Sequence, residues 1–315
     1  MHGESPVAYR AGWREAGLLA VGDSIAALRE TPMPECESLP YGFAALMGYL
    51  TGDGSFGQGN PIVTASEPEV VAHLTEIAAA HEWVLRQDGK YGYHIRKPSR
   101  IGAKNGTSAQ ERLRQYMNPA RSADKRVPDC IWTANESDLR AFLAAYFNCD
   151  GTVTEQREGL AEFYSTSEGL LRDVQTILTR LGIYSTLRPK SGRYLGRRHH
   201  SWRLTVSGAD LVAMAGVLPV RGERGRKLQT VAQRAATKRH FPEYESIPGE
   251  WKQLVRNGIG WHRNHTGVRA DKNYKRGTAR HIVLAIADAE NNDDLRKVCS
   301  PDIIWERIMS VEPLG

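Results

Sequence analysis

An internal repeat constrains the fold of this 315-residue chain more than any other feature of its sequence. The stretch LMGYLTGDGSF at residues 46–56 returns as LAAYFNCDGTV at residues 143–153. The similarity continues downstream, where residues 64–86 parallel residues 165–188. Each of these later stretches has a Ser-Glu helix start, an amphipathic helix and a β-rich end. The chain is therefore predicted to contain two copies of one structural unit.

Each copy is predicted to run helix, Asp-Gly turn, strand pair, helix, strand pair, helix. The first motif helix is expected to begin near Ser38 with Pro40 in its first turn. The second is expected to begin near Asn135, followed by the favourable acids Glu136 and Asp138. The offset between the copies grows from 97 to 101 residues, which predicts a longer hairpin in the second copy. The predicted fold class is α+β, a pseudo-twofold tandem repeat of αββαββα units.

Small residues recur every four positions along both motif helices. They are Ala44, Gly48 and Gly52 in the first helix and Ala141, Ala145 and Cys149 in the second. Such faces allow close packing, which would bring Asp53 and Asp150 together at the two helix ends. Carboxylates at helix C-termini repel each other and the helix carbonyls, so a shared divalent cation is predicted. A lone Asp-Gly is usually a turn, and small-residue spacing is often plain packing, but two matching copies favour the shared cation.

Positive charge is gathered into four segments. Residues 86–126 carry 11 basic and 3 acidic residues, and residues 180–203 carry 7 and 0. Residues 221–239 carry 7 and 1, and residues 252–280 carry 8 and 1. Because the net charge is only +6, the rest of the chain is strongly acidic. This segregation predicts a nucleic-acid partner, although any single basic run is equally well explained as a solvated loop.

The composition predicts a soluble, cytoplasmic protein without a membrane partner. No run of about 18 apolar residues occurs, and the N-terminal residues lack the apolar core of a signal peptide. A hydrophobic fraction of 41% supports cores without disulfides. Cys36, Cys130, Cys149 and Cys299 form no CxxC or Cys/His cluster, so they are predicted to be reduced thiols that hold no zinc.

The repeated motifs resemble those of the LAGLIDADG, or dodecapeptide, homing endonucleases in their single-chain, two-motif form. LMGYLTGDG at 46–54 and LAAYFNCDG at 143–151 match the nine-residue motif, including its last acidic position, and the resemblance spans roughly 38–235. Thr51 and Asn148 occupy the sixth position, where the family name has Asp and where the family varies. The resemblance implies two saddle-shaped antiparallel sheets, a central two-helix interface and a monomer that reads double-stranded DNA.

The resemblance also implies the reaction, which is Mg²⁺-dependent hydrolysis of both strands of a long, non-palindromic target, leaving short 3′ overhangs. Two or three Mg²⁺ ions are expected between the motif helices, with no organic cofactor. The metal-site residues implied are Asp53, Asp150, Gly52 and Cys149. The catalytic residues implied are Asp53, Asp150, Lys125 and Lys227. Lys125, within SADKRVPDCIW, has ordinary phosphate binding as an equal alternative.

Basic strands such as YGYHIRK at 91–97 and SWRLTVS at 201–207 are expected to build the DNA-reading sheets. The predicted DNA contacts are Arg86, Lys90, Tyr93, Arg96, Lys97, Arg188, Lys190, Arg193, Arg197, Arg198 and Arg203.

The segments on either side of the repeated part indicate which kind of LAGLIDADG protein the chain resembles. Residues 12–32 and 300–315 resemble the segments that join an intein's endonuclease to its splicing halves, and they are expected to pair as a small β element. No splicing nucleophile precedes the first and no His-Asn follows the second, so an intein's endonuclease insert that cannot splice is expected. Two helices around the basic stretch 263–280 predict a DNA-contacting module or a brace over the second half. The predicted domains are 1–37, 38–134, 135–235, 236–299 and 300–315.

Three other functions stay open at this point. A DNA-binding regulator on the same fold would have lost the motif acids, and both are present. An intron maturase would bind structured RNA. An unrelated structural protein would show no metal-dependent chemistry.

Overall fold

The computed structural model divides the chain into two compact units. One unit comprises Met1–Glu30 and His240–Gly315, and the other Thr31–Arg239. The segments predicted as three separate pieces, 1–37, 236–299 and 300–315, thus fall mostly into one unit. The residues described are 13–31, 38–55, 59–98, 108–117, 120–156, 159–194, 197–237, 246–255 and 278–312.

Both units contain helices and strands. The α-helices of the described part are α1 (Phe43–Asp53), α2 (Pro68–Ala80), α3 (Ala109–Leu113), α4 (Asp129–Trp132), α5 (Glu136–Asp150), α6 (Glu168–Arg180), α7 (Gly208–Val217), α8 (Gly222–Ala236), α9 (Arg280–Glu290) and α10 (Asp293–Val298). The β-strands are β1 (Ser24–Leu28), β2 (Gly54–Ser55), β3 (Ile62–Thr64), β4 (Val84–Asp88), β5 (Gly92–Arg96), β6 (Gly151–Thr154), β7 (Leu160–Ser165), β8 (Thr186–Tyr194), β9 (Arg197–Val206), β10 (Ser246–Ile247), β11 (Thr278–Ala279) and β12 (Ile303–Arg307). No helix within these ranges has the length and apolar character needed to cross a membrane.

The larger unit contains two four-stranded antiparallel sheets with equivalent strand orders. These orders are β2-β3-β5-β4 and β6-β7-β9-β8. In each sheet a motif helix leads into the first hairpin, and a second helix, α2 or α6, connects that hairpin to the remaining two strands. The predicted mixed α+β class with antiparallel sheets is confirmed.

The first hairpin of the second sheet is the longer of the two. Gly54 pairs with Val63 in the first sheet, whereas Gly151 pairs with Phe163 in the second. The strands there have 2 and 3 residues in the first copy and 4 and 6 in the second. The growing offset between the copies therefore reflects a longer hairpin, as predicted.

The motif helices α1 and α5 pack directly against each other through their small residues. A Cβ on Gly48 would lie 2.4 Å from the carbonyl oxygen of Phe142 and 2.8 Å from the Cβ of Ala145. A Cβ on Gly52 would lie 2.3 Å from the Cβ of Cys149. The backbones are thus too close for side chains at these two positions, as the spacing predicted.

The start of α5 is as predicted, but that of α1 is not. The side chain of Asn135 accepts the Asp138 N–H at the start of α5. The first motif helix begins at Phe43, because Gly42 turns the chain in the left-handed region at φ 70°. Before that turn, the Leu39 N–H donates to the Asp138 carboxylate at 2.9 Å, which holds this segment against α5 instead of in a helix.

The smaller unit has its own apolar core. Residues from 247 to 299 form it: Ile247, Trp251, Val283, Ile286, Ala287, Leu295, Val298 and Cys299. Strand β1 pairs antiparallel with β12, with Ser24 opposite Arg307, which confirms that the flanking segments pair. The predicted helix that follows the basic stretch is two helices, α9 and α10, separated at Asn291 and Asn292. Of the predicted helix that precedes the stretch, the described residues form a short 3-10 helix, Gly249–Leu254, and residues 256–264 lie outside the described part. Most of the basic stretch 263–280 lies outside the described residues.

Candidate active site

Asp53 and Asp150 are the last residues of the two packed motif helices. Gly54 and Gly151 follow them in extended conformation and begin the first strand of each sheet. The last carbonyls of a helix have no partner further along the helix, so other groups can bond to them here. The two acids therefore stand where each helix meets its sheet.

The two acids interact electrostatically. Burial raises the pKa of Asp53, and burial together with the charge of Asp53 raises the pKa of Asp150 to about 6. The positive charges of Lys125 and Arg224 oppose both shifts but do not cancel them. The negative charge of the pair is thus only partly offset, which favours a bound cation.

Lys125 is held at the end of the first motif helix. Its ammonium donates to the carbonyl oxygens of Thr51 at 2.6 Å and Gly52 at 2.9 Å. The hydroxyl of Ser167, at the start of α6, donates to the Lys125 carbonyl at 2.7 Å. The next residue, Arg126, forms two hydrogen bonds to the buried Asp173 carboxylate. The cation is therefore fixed where helix carbonyls carry partial negative charge.

Arg224 occupies the corresponding place at the end of the second motif helix. Its Nε donates to the Gly151 carbonyl at 2.8 Å, and its Nη2 donates to the Cys149 carbonyl at 3.3 Å. The sequence pointed instead to Lys227, whose ammonium pairs with Glu223 on the same helix. The acids that raise the pKa of Lys227 are Glu223 and Glu155, not the motif acids. The cation hydrogen-bonded to this helix end is thus Arg224.

Asn148, a departure from the motif, docks the segment that precedes α8. Its amide nitrogen donates to the Arg221 carbonyl at 2.8 Å, and its amide oxygen accepts the Arg221 N–H at 3.1 Å. Asn148 is buried, so both hydrogen bonds are shielded from water. This residue thus fixes the start of the helix that carries Arg224.

The predicted ligands Gly52 and Cys149 offer only their backbone carbonyls, and these already accept hydrogen bonds from Lys125 and Arg224. Burial raises the pKa of the Cys149 thiol to about 12, so the neutral thiol is a poor ligand. Within the described ranges no group of three or more His, Cys, Asp or Glu side chains could hold a metal. Two carboxylates fit Mg²⁺, which commonly takes one or two and completes its shell with water and phosphate oxygens.

The second sheet presents basic side chains on the face opposite its core. Phe163 and Leu204 point into the core, so the neighbouring strand positions face outward. Arg188, Lys190 and Arg203 are among these outward residues. The Lys190 ammonium lies 4.1 Å from the centre of the Tyr164 ring. The side chains of the predicted contacts Arg193, Arg197 and Arg198 lie outside the described part.

In the first sheet the structure separates the predicted contacts onto two faces. Ile95 is buried and Leu85 packs against the core, so Arg86 and Arg96 lie on the outward face. Tyr93 was predicted to contact DNA. It packs against the core like Ile95, on the face opposite Arg86 and Arg96. The other two predicted contacts, Lys90 in the hairpin turn and Lys97 after β5, are exposed.

Replacing Asp150 by Asn is expected to stabilise the metal-free protein at pH 8. The folded-state pKa of about 6 exceeds the ordinary 3.8, so the folded state binds more protons between these values. The free energy of unfolding therefore falls as the pH rises from about 4 to 6 and stays lower above it, by about 2 to 3 kcal/mol at most. Urea unfolding in EDTA at pH 4 and pH 8 measures the free energy of unfolding of the wild type and of the variant. An equal difference between variant and wild type at both pH values would contradict it.

Part of this chain matches a known family model, and most of the chain is similar to segments of longer proteins. Residues 137–216 match the family model described as the LAGLIDADG-like domain, a range that contains most of α5 and all four strands of the second sheet. A replicative DNA helicase DnaB of Rhodothermus marinus is 28% identical over 331 residues, covering 96% of this chain and 35% of the helicase. Protein RecA of Mycobacterium tuberculosis is 27% identical over 271 residues, covering 78% of this chain and 33% of RecA.

This chain thus spans about a third of the length of these curated relatives. Among solved structures, that of the homing endonuclease I-DmoI in complex with DNA and Ca aligns with 60% of this chain and 98% of its own. The identity is 14% and the TM-score 0.37.

Proposed function

We propose that this chain is a LAGLIDADG-type homing endonuclease that hydrolyses both strands of a long, non-palindromic DNA duplex and leaves short 3′ overhangs. One observation carries the proposal. Two electrostatically coupled carboxylates, Asp53 and Asp150, end two closely packed helices, and a fixed cation stands at each of those helix ends. A purely structural role does not account for two like charges placed at adjoining helix ends.

In this function the carboxylates of Asp53 and Asp150 would hold Mg²⁺. Such an ion would supply Lewis-acid stabilisation of the phosphate and a more acidic water. Lys125 and Arg224 offset negative charge on the scissile phosphates, because each is already oriented at one helix end. Neither motif acid acts as a nucleophile.

DNA binding is assigned to the outward faces of the two sheets. Arg86 and Arg96 on one sheet and Arg188, Lys190 and Arg203 on the other supply basic groups for phosphates and base edges. Because phosphate contacts release counterions, affinity should fall steeply with salt. The two halves differ in sequence, so the target need not be palindromic, and we place the protein in the cytoplasm as a monomer.

We further propose that the chain is borne by an intein. The helicase and RecA relatives carry names of unlike proteins, yet both match most of this chain over about a third of their own length. A segment common to such different proteins is best explained as an insert that moves between genes. The pairing of β1 with β12 agrees with this, since it brings the two flanks of the segment together.

A cleavage assay tests the proposed function. Supercoiled plasmids carrying the uninterrupted helicase and RecA coding sequences, and a randomised duplex library, are incubated with the protein in Mg²⁺ or in EDTA. Site-specific linearisation in Mg²⁺ alone is expected. Intact DNA in both conditions, or preferential binding of structured RNA, would reject the endonuclease. The double variant Asp53→Asn/Asp150→Asn controls for contaminating nucleases.

A further inference from the structure

We propose that Glu67 is a positioning residue for Arg224, so that hydrolysis of one DNA strand depends on a carboxylate from the other half of the protein. The proposal rests on the proposed function. Glu67 lies in the first half and Arg224 in the second, and 157 residues separate them. In the described part of the chain no carboxylate holds Lys125 in the same way at the first helix end, so the two cleavage steps become unequal.

Glu67 uses both of its carboxylate oxygens at the start of α8. Oε1 accepts a hydrogen bond from Nη1 of Arg224 at 2.9 Å. Oε2 accepts one from the backbone N–H of Glu223, also at 2.9 Å. The first of these bonds holds the guanidinium and the second holds the helix that carries it. The Glu67 side chain is only 18% exposed, which limits competition from water.

The guanidinium of Arg224 is fixed by partners on different sides. Glu67 lies at Nη1, the Gly151 carbonyl at Nε and the Cys149 carbonyl at Nη2. A planar guanidinium with partners along its fork has little freedom to rotate. Removing the charged partner leaves two neutral carbonyls, of which the Cys149 contact is long, at 3.3 Å. The cation would then lose its fixed direction toward the motif acids.

Lys125 is held in a different way. Its segment is anchored by the Ser167 hydroxyl, which donates to the backbone carbonyl of Lys125 and not to the ammonium. The ammonium bonds only to helix carbonyls and pairs with no carboxylate in the part of the chain that the structure describes. A change at Glu67 should therefore affect the second helix end and spare the first.

The same two helices offer a matched control. Glu69 pairs with Arg226 at 2.9 Å, between α2 and α8 like the Glu67 pair. Both side chains are more exposed, at 43% and 68%, and Arg226 does not act on the pKa of Asp53 or Asp150. Glu69→Gln thus removes a similar bridge between the same elements without touching the site.

The test measures the cleavage rate of each DNA strand separately. The substrate is a supercoiled plasmid that carries the site cut by the wild-type protein. Glu67→Gln is expected to slow one strand about tenfold or more and the other less than about twofold, as for other lost orienting partners. Nicked circles should accumulate, with DNA affinity and thermal unfolding close to wild type. Glu69→Gln should cut both strands normally. Equal slowing of both strands, or no difference from Glu69→Gln, would overturn the proposal.

A second measurement needs no cleavage. The arginine Nε–Hε NMR signal of Arg224, assigned by its loss in Arg224→Lys, should shift and broaden in Glu67→Gln and stay in place in Glu69→Gln. An unchanged Arg224 signal in Glu67→Gln would refute positioning whatever the nuclease result. If the wild-type protein cuts no duplex, the endonuclease fails as a proposal, and this spectrum still decides whether Glu67 orients Arg224.

Discussion

Asp150→Asn should abolish double-strand cleavage, with a loss of at least about a thousandfold in rate, while DNA binding persists. The amide keeps the shape of the carboxylate but removes the negative charge that a hard cation requires. Binding should be as strong or stronger, because a negative charge next to the phosphates has been removed. Single-turnover cleavage in Mg²⁺ and a binding titration in Ca²⁺ separate the two effects.

Glu136→Gln is the matched control for this substitution. It makes the same chemical change at the other end of the same helix, where Glu136 pairs with Arg140 on an exposed surface. Cleavage by this variant should equal that of the wild type. Normal cutting by Asp150→Asn would show that the carboxylate does not hold the metal, even if the protein proves to be a nuclease.

Gly48→Ala is expected to destabilise the protein by about 3 kcal/mol, although alanine favours helices. The added methyl group would lie 2.4 Å from the carbonyl oxygen of Phe142, which belongs to the backbone of α5 and cannot rotate away. The two motif helices would have to move apart, and this would change the relative position of the Asp53 and Asp150 carboxylates. Urea unfolding measures the loss of stability, and Mg²⁺-dependent cleavage should fall in parallel.

Gly216→Ala provides the opposite case. Gly216 lies in α7 with no atom within 4 Å of an added Cβ. The same substitution there should stabilise by about 0.5 to 1 kcal/mol, since alanine loses less backbone entropy on folding. If both variants changed stability in the same direction, close helix packing would not be the reason for glycine at position 48.

Much of the fold could be predicted from the sequence because the repeat supplies each signal twice. The helix ends at Asp53 and Asp150 follow from a change in hydrophobic period at Asp-Gly. The start of the first motif helix could not be predicted, because Ser38 has the chemistry of an N-cap but its segment is held by the distant Asp138. Long-range contacts of this kind leave no mark on local sequence.

The helix-end positions of Asp53 and Asp150 could be predicted from the sequence, whereas the cation beside the second helix end could not. Three basic residues, Arg224, Arg226 and Lys227, follow closely in the first turns of α8, and sequence spacing could not decide between Arg224 and Lys227. The choice depends on where α8 begins, which Asn148 and Glu67 set from elsewhere in the chain. The inward position of Tyr93 could have been foreseen, since alternation along β5 places it on the same face as Ile95.

The ladder between β1 and β12 has a consequence for any polypeptide that carries this segment internally. Ser24 and Arg307 stand opposite each other, and the Gly22 N–H extends the ladder to the carbonyl of Ile308. If a host polypeptide contained this segment, the pairing of β1 with β12 would hold the two ends of the paired region next to each other, as at the base of a surface loop. Since the cost of an insertion depends on holding its two ends together and only weakly on its length, the host could keep its own backbone path undisturbed.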